Sequence, residues 1–217
     1  SLSAGRLDIS LRLTRSAYVR IVGLRAFDGN CQTPVGVWHN KGLIANMAGM
    51  EEQAMAGSAK LSEGLCEIRW HGRGGQGAIS SAQLLAQAAY YGGFRGVTSA
   101  PTFGAERRGA PVTASTRLSL EPLRFFSQIV NPDIVIVLDD SLMECANATA
   151  GLRPRGWLIV NTTRSPGEWG LNGFRVATAD ATRIAIENDL EVAGSVIVNT
   201  AMLGAFARAT RLVTLDN

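Results

Sequence analysis

Residues 66–80, CEIRWHGRGGQGAIS, carry a short apolar run into four glycines within six residues, and then into an alanine- and leucine-rich segment. A chain that passes from extended to helical through such a joint is committed to a strand–turn–helix unit. Glycine lets the backbone reverse tightly, and the first N–H groups of the helix are left facing whatever fills the turn. The sequence after it repeats the alternation. AISSAQLLAQAAYYGG has helical spacing and stops at Gly92 and Gly93. RGVTSA reads as a second strand, and VTASTRLSL alternates as an exposed or edge strand does. DIVIVLDD is a near-continuous apolar run, the pattern of a strand buried on both faces. A helix is expected from about Ser141 to Ala150, followed by a buried strand at GWLIVNT. FRVATAD is a further strand, with Asp180 placed to cap ATRIAIEN. SVIVNTAMLGAFARAT reads as one long apolar helix ending near Arg208. Together these predict an α/β fold: a mostly parallel sheet with helices on both faces, a Rossmann-like three-layer arrangement.

Hydrophobic residues make up 46% of the 217 and charged residues 18%, enough apolar material for a sizeable core. The net charge of +3 comes entirely from residues 1–60, which hold seven Lys or Arg against four Asp or Glu; residues 61–217 hold fourteen of each. The main body is therefore not a basic nucleic-acid module. No stretch approaches the roughly 18 apolar residues of a membrane-spanning helix. The three cysteines, Cys31, Cys66 and Cys145, include no CxxC pair. That argues against a disulfide framework and against an iron–sulfur cluster ligated by this chain alone, and points to a reducing, cytoplasmic setting.

Residues 1–60 read differently from the rest. LRLTRSAYVRIVGLRAF is Arg-rich, acid-poor and without a clean period of 2 or 3.6. It fits a targeting peptide, a partner-binding arm, or an upstream stretch that is not native protein, with Met47 and Met50 as alternative starts. The division expected is an N-terminal extension, residues 1–60, disordered or non-native, and a compact α/β domain, residues 61–217. LVTLDN ends the chain abruptly for a finished domain.

The spacing Gly72-x-Gly74-x-x-Gly77 formally fits a dinucleotide-binding turn. Such sites want an acidic residue about 20 positions on, at the end of the second strand. Here that region is RGVTSAPTFGAE, with nothing acidic before Glu106, and the loop carries the long polar Arg73 and Gln76 where small residues usually meet the pyrophosphate. No Gly-Lys-Ser/Thr follows, so a phosphate-binding P-loop is excluded. An anion or cofactor role stands beside a plain tight turn. A second loop, PTFGAERRGAPV, sets Glu106, Arg107 and Arg108 between Gly104 and Gly109. Arginine forks suit phosphates and carboxylates, so Arg73, Arg107 and Arg108 are candidates for one shared rim. A Glu–Arg pair that only shapes the turn is the competing reading. His71 is expected to bond a backbone group near the loop rather than act as acid or base. Asp139 and Asp140 close a buried strand, where open sheets place ligands, but helix capping is the commoner use of such residues. Cys145 is expected to be core or semi-buried. Asn161 and Thr162 are candidates to line the same crevice, and Asn199 needs a partner, either another subunit or a loop carbonyl, if buried. His39 is assigned no role.

HGRGGQG followed by FGAERRGAPVTASTRLS closely resembles the gamma subunit or domain of the 2-oxoacid:ferredoxin oxidoreductases, the pyruvate and branched-chain enzymes above all. The resemblance runs from about residue 65 to the end and takes in NPDIVIVLDDSL and NTAMLGAFARAT. It implies a subunit rather than a free-standing enzyme. Alpha, beta and delta subunits would be its partners, with ferredoxin reached through the complex, in the cytoplasm, with no nucleic acid and no membrane. Thiamine diphosphate and iron–sulfur clusters would sit on those partners, none held by this chain alone. Coenzyme A, the co-substrate, would meet the gamma part at positions matching the family motifs: Gly72, Arg73, Gly74, Gly75, Gln76, Gly77, Arg107 and Arg108. The resemblance also implies further helix after LVTLDN. Two rivals remain: an NAD(P)-dependent Rossmann dehydrogenase, and a ligand-free scaffold subunit.

Overall fold

The computed structural model describes residues 64–102, 107–124, 127–192 and 194–214, and the backbone of two strands, 7–14 and 18–26. Cys31, His39, Met47 and Met50 lie outside the described residues, as does Glu106, the acidic half of the ion pair considered for the second loop.

The chain builds strands β1 (Leu7–Thr14), β2 (Tyr18–Ala26), β3 (Leu65–Arg73), β4 (Gly96–Pro101), β5 (Pro111–Ser119), β6 (Ile134–Val137), β7 (Trp157–Asn161) and β8 (Arg175–Ala179), plus a two-stranded hairpin of β9 (Glu191–Val192) and β10 (Ser195–Val196). Helices are α1 (Ala78–Tyr91), α2 (Leu142–Cys145), α3 (Ala181–Glu187) and α4 (Asn199–Thr210). The sheet order is β2-β1-β8-β7-β6-β3-β5-β4. From β8 to β4 every neighbouring pair is parallel except those made by β5, which runs opposite to β3 and β4 on its two sides. β1 and β2, in a stretch read as lying outside the compact domain, pair antiparallel, and β1 lies parallel beside β8. No helix among the described residues is long and apolar enough to cross a membrane.

The layers are unequal. α1, α3 and α4 pack on one face, where Trp70, Leu85, Ile136, Ile184 and Phe206 are fully buried. The opposite face of β6–β8 is closed by the short α2, a 3-10 turn at Pro166–Trp169 and loops around Val137, Leu142 and Val160. β6 is buried at all four positions, as its unbroken apolar run predicts.

Three local readings are corrected. β5 is an interior strand, not an edge. Its alternation reflects two different buried environments: Thr116 accepts the Trp70 indole N–H at 3.0 Å and donates to the Ala82 carbonyl, while on the other side Arg117, 3% exposed, meets Glu67 at 2.8 Å. Polar side chains survive there because each is satisfied. The helix expected over 141–150 stops at Cys145, with left-handed Asn147 just beyond; of the four helical residues Leu142 is buried, Ala148 reaches the core from the turns that follow, and Cys145 is exposed rather than semi-buried. The apolar run from Ser195 is not helical at its start: Ser195 and Val196 pair back on Glu191 and Val192, and α4 begins at Asn199. β-Branched residues fit that hairpin as well as a helix.

Candidate functional site

In the sheet order, the chain leaves β3 toward β5 and β4 on one side, and β6 takes it toward β7 and β8 on the other. The carboxyl ends of β3 and β6 therefore flank a topological switch point, where open α/β sheets leave a crevice. The glycine loop leaves β3 here, and Asp139 and Asp140 follow β6.

The two loops singled out in the sequence meet. Gly74 N–H donates to the Ala110 carbonyl at 2.9 Å, and Gly109 N–H donates to the Gly74 carbonyl at 3.0 Å. A Cβ at Gly74 would collide with the Arg107 carbonyl oxygen, so only glycine allows this approach. Gly77 is left-handed (φ 86°) and caps α1, with the Asn199 side chain against it. Gly72 packs against Ala78 and Leu138, and Gly75 against Ser195. Much of the glycine excess is thus demanded by packing between loops.

Arg73 and Gln76 are occupied internally. Arg73 Nε donates to Asp139 Oδ2 at 2.9 Å, its two terminal nitrogens donate to the Gly109 carbonyl (3.1 Å) and the Ser141 hydroxyl (2.7 Å), and its backbone N–H donates to Gln76 Oε1 (2.8 Å). Gln76 Nε2 completes the circuit to Asp139. Burial works against ionisation of Asp139, but bonds from Ser141, Arg73 and Gln76 outweigh it and hold its carboxyl below the usual range. Arg108 reaches the Ser195 hydroxyl at 3.4 Å, and Arg107 is exposed. The sequence thus placed three arginines correctly at one locality, but Arg73 is turned along the strand ends rather than outward.

At the glycine loop lies a cavity of about 400 Å³, lined by the polar side chains of Arg73 and Asn199, by Gly75 and Gly77, and by the apolar Ile79, Val192 and Ile197. Two helices begin at it. α1 and α4 touch where Gly77 meets Asn199; neither has a side-chain cap, and neither has an acidic residue in its first turn. Uncapped helix N-termini attract anions. The β9–β10 hairpin, the start of α4 and the carboxylate holding Arg73 were missed in the sequence. Gly194, left-handed between β9 and β10, was the available signal for the hairpin turn.

The remaining candidates, apart from Asn199, are not among the residues that line this cavity. His71 is 5% exposed; its Nε2 accepts from Arg69 Nε at 3.0 Å, and Nδ1 has no hydrogen-bond partner among the described residues. Burial, with the Arg69 charge second, pushes its pKa down to about 4, so it is neutral and unsuited to proton transfer near pH 7. The backbone partner expected for its ring is replaced by Arg69. Asn161 does not line the crevice: it donates to the Leu138 carbonyl and accepts from the N–H groups of Ala181 and Thr182, tying β6 to the start of α3. Thr162 donates to Asp140 at 2.8 Å. Asp180 caps α3 as expected, accepting from Arg183 N–H. Asn199 is half-buried and accepts from Thr200 N–H, not from another loop.

Residues 67–217 match the pyruvate ferredoxin/flavodoxin oxidoreductase family. The chain belongs to that family, as a gamma-type subunit. The gamma chain is 48% identical over 157 residues to the common gamma subunit of pyruvate/ketoisovalerate oxidoreductases of Pyrococcus furiosus, covering 70% of this chain and 82% of that one. It is 46% identical over 153 residues to the pyruvate synthase subunit PorC of Methanothermobacter marburgensis, with the same coverage. Among solved structures it superposes on the pyruvate oxidoreductase subunit PORC of Thermotoga maritima with a TM-score of 0.59 at 39% identity, covering 71% of this chain and 81% of that one. The gamma chain is thus part of a multi-subunit enzyme, as the resemblance implied.

Proposed function

We propose that the gamma chain serves a thiamine-diphosphate-dependent 2-oxoacid:ferredoxin oxidoreductase, acting on pyruvate or a branched-chain or aryl 2-oxoacid, and that its paired loops complete the coenzyme A side of the site. The complex converts 2-oxoacid and coenzyme A to acyl-CoA and CO2, passing two electrons to ferredoxin. Alpha, beta and delta subunits are its partners in the cytoplasm. In this reading thiamine and the clusters belong to those partners.

The observation that carries the coenzyme reading is the cavity with two chemistries. The N-termini of α1 and α4, without acidic residues in their first turns, lie among its lining residues beside Arg73, and Val192, Ile197 and Ile79 add apolar surface. Coenzyme A has the matching division, an anionic pyrophosphate head and a long, weakly polar pantetheine arm. The dehydrogenase reading is disfavoured by β5, which lies between β3 and β4. It moves the end of the second strand to about twice the usual ~4.8 Å strand spacing from the glycine loop, out of ribose reach. The ligand-free scaffold is favoured by one observation, that the glycines are accounted for by loop packing. Replacing Arg107 and Arg108 with Ala in the assembled complex separates the two. A coenzyme role raises the apparent KM for coenzyme A roughly tenfold while kcat stays within about twofold; a scaffold loses assembly or changes nothing.

A further inference from the structure

The side chain that ties the two loops together belongs to neither of them. Asp139 follows β6, whose parallel neighbours β3 and β7 hold it from both sides. Its Oδ2 accepts from Arg73 Nε at 2.9 Å and Gln76 Nε2 at 3.3 Å; its Oδ1 accepts from Ser141 N–H at 3.1 Å and from the Ser141 hydroxyl. Arg73 then carries the connection to the second loop through the Gly109 carbonyl. With four donors on two oxygens, the carboxylate has little capacity left for a ligand.

We propose that Asp139 is a positioning residue for the coenzyme side of the site: it touches no substrate, but by fixing Arg73 and Gln76 it sets how the Arg73 guanidinium is oriented where the glycine loop meets the Arg107–Arg108 loop. The inference rests on the coenzyme reading above. The fold does not depend on this contact. Backbone bonds between Gly74, Gly109 and Ala110 and the full β3–β5 ladder already join the loops. The Arg73 and Asp139 side chains are 32% and 22% exposed, and ion pairs of that kind add little stability. What the network supplies is orientation. A planar guanidinium held by three partners at once has one pose, and the loop it reaches carries the outward-facing arginines.

The test uses the assembled complex and reads the apparent KM for coenzyme A, kcat and the melting temperature. Asp139→Asn keeps the volume and removes the charge. It is expected to raise KM about fivefold with kcat within about twofold and the melting temperature nearly unchanged. In an Arg73→Ala, Gln76→Ala background the same change is expected to alter KM by less than about twofold, because its targets are gone. Should Asp139→Asn fail to assemble, Ser141→Ala removes one donor to Asp139 and one acceptor of Arg73, and is expected to raise KM about twofold. An unchanged or lowered KM overturns the proposal. So do fully additive effects in the two backgrounds, or a parallel loss of stability, KM and kcat. If Arg107→Ala with Arg108→Ala raises KM and Asp139→Asn does not, this inference alone fails; if neither does, the coenzyme reading fails with it.

Discussion

At Gly74 a single methyl group decides whether the two loops touch. An added Cβ meets the Arg107 carbonyl, a backbone atom that cannot rotate away, so Gly74→Ala must push the second loop outward. The expected result is a complex that assembles normally but has a raised KM for coenzyme A, measured beside the Arg107 and Arg108 variants. His71 offers a second residue-scale test. Its pKa is about 4 when folded and 6.5 when free, so the unfolded chain binds more protons between those values. Stability is therefore full above about pH 6.5, falls as pH drops toward 4, and loses nothing more to this group below that. The contribution is at most about 3 kcal/mol. Urea unfolding of the chain at pH 7 and pH 4.5 measures it, and His71→Leu should flatten that part of the profile. At this scale the sequence marked positions that the structure brings together, without showing what holds them there. Four glycines in six residues looked like room for a ligand. Two of them are needed because Arg107 and Asn199 press against them. Such contacts join residues more than 30 positions apart, which no local pattern reveals. Asp139 was read as a cap or a crevice residue and not as the partner of Arg73 and Gln76, because those lie on and just after the neighbouring strand, more than 60 positions away in sequence.

Among the elements, β5 carries the clearest lesson. An alternating strand with Thr and Arg on it reads as half exposed, yet the hydroxyl of Thr116 and the guanidinium of Arg117 are both buried and bonded. Thr116→Val keeps the shape and strands the Trp70 indole N–H in the core, at an expected cost of about 1–3 kcal/mol by urea denaturation. A cost below a few tenths would mean that water reaches the indole. Asn161→Ala removes the bonds that join β6 to the start of α3, and should cost a similar amount, about 1–3 kcal/mol. β3, α1, β4, β6, β7 and β8 were all legible, since their periods are set by burial of one face or both. The boundaries of α2 and α4 were not. A four-residue helix has too few turns to show a period, and Val and Ile before Asn199 serve a hairpin as readily as a helix.

For the whole molecule, alternation of strand and helix was enough for the fold class, but not for the insertion of an antiparallel β5 between β3 and β4, which depends on which strands pair rather than on what each one is. That insertion separates this fold from a dinucleotide-binding one. Co-purification under native conditions is expected to bring down other chains carrying iron and thiamine, with the gamma chain alone lacking stoichiometric amounts of either. The most direct test of the central claim is amide hydrogen exchange of the gamma chain within the intact complex, with and without coenzyme A. The account predicts slowed exchange confined to the glycine loop with the start of α1 (72–80), the second loop (107–110) and the β9–β10 hairpin with the start of α4 (191–201). Exchange there that is indifferent to coenzyme A, while other subunits become protected, would contradict it.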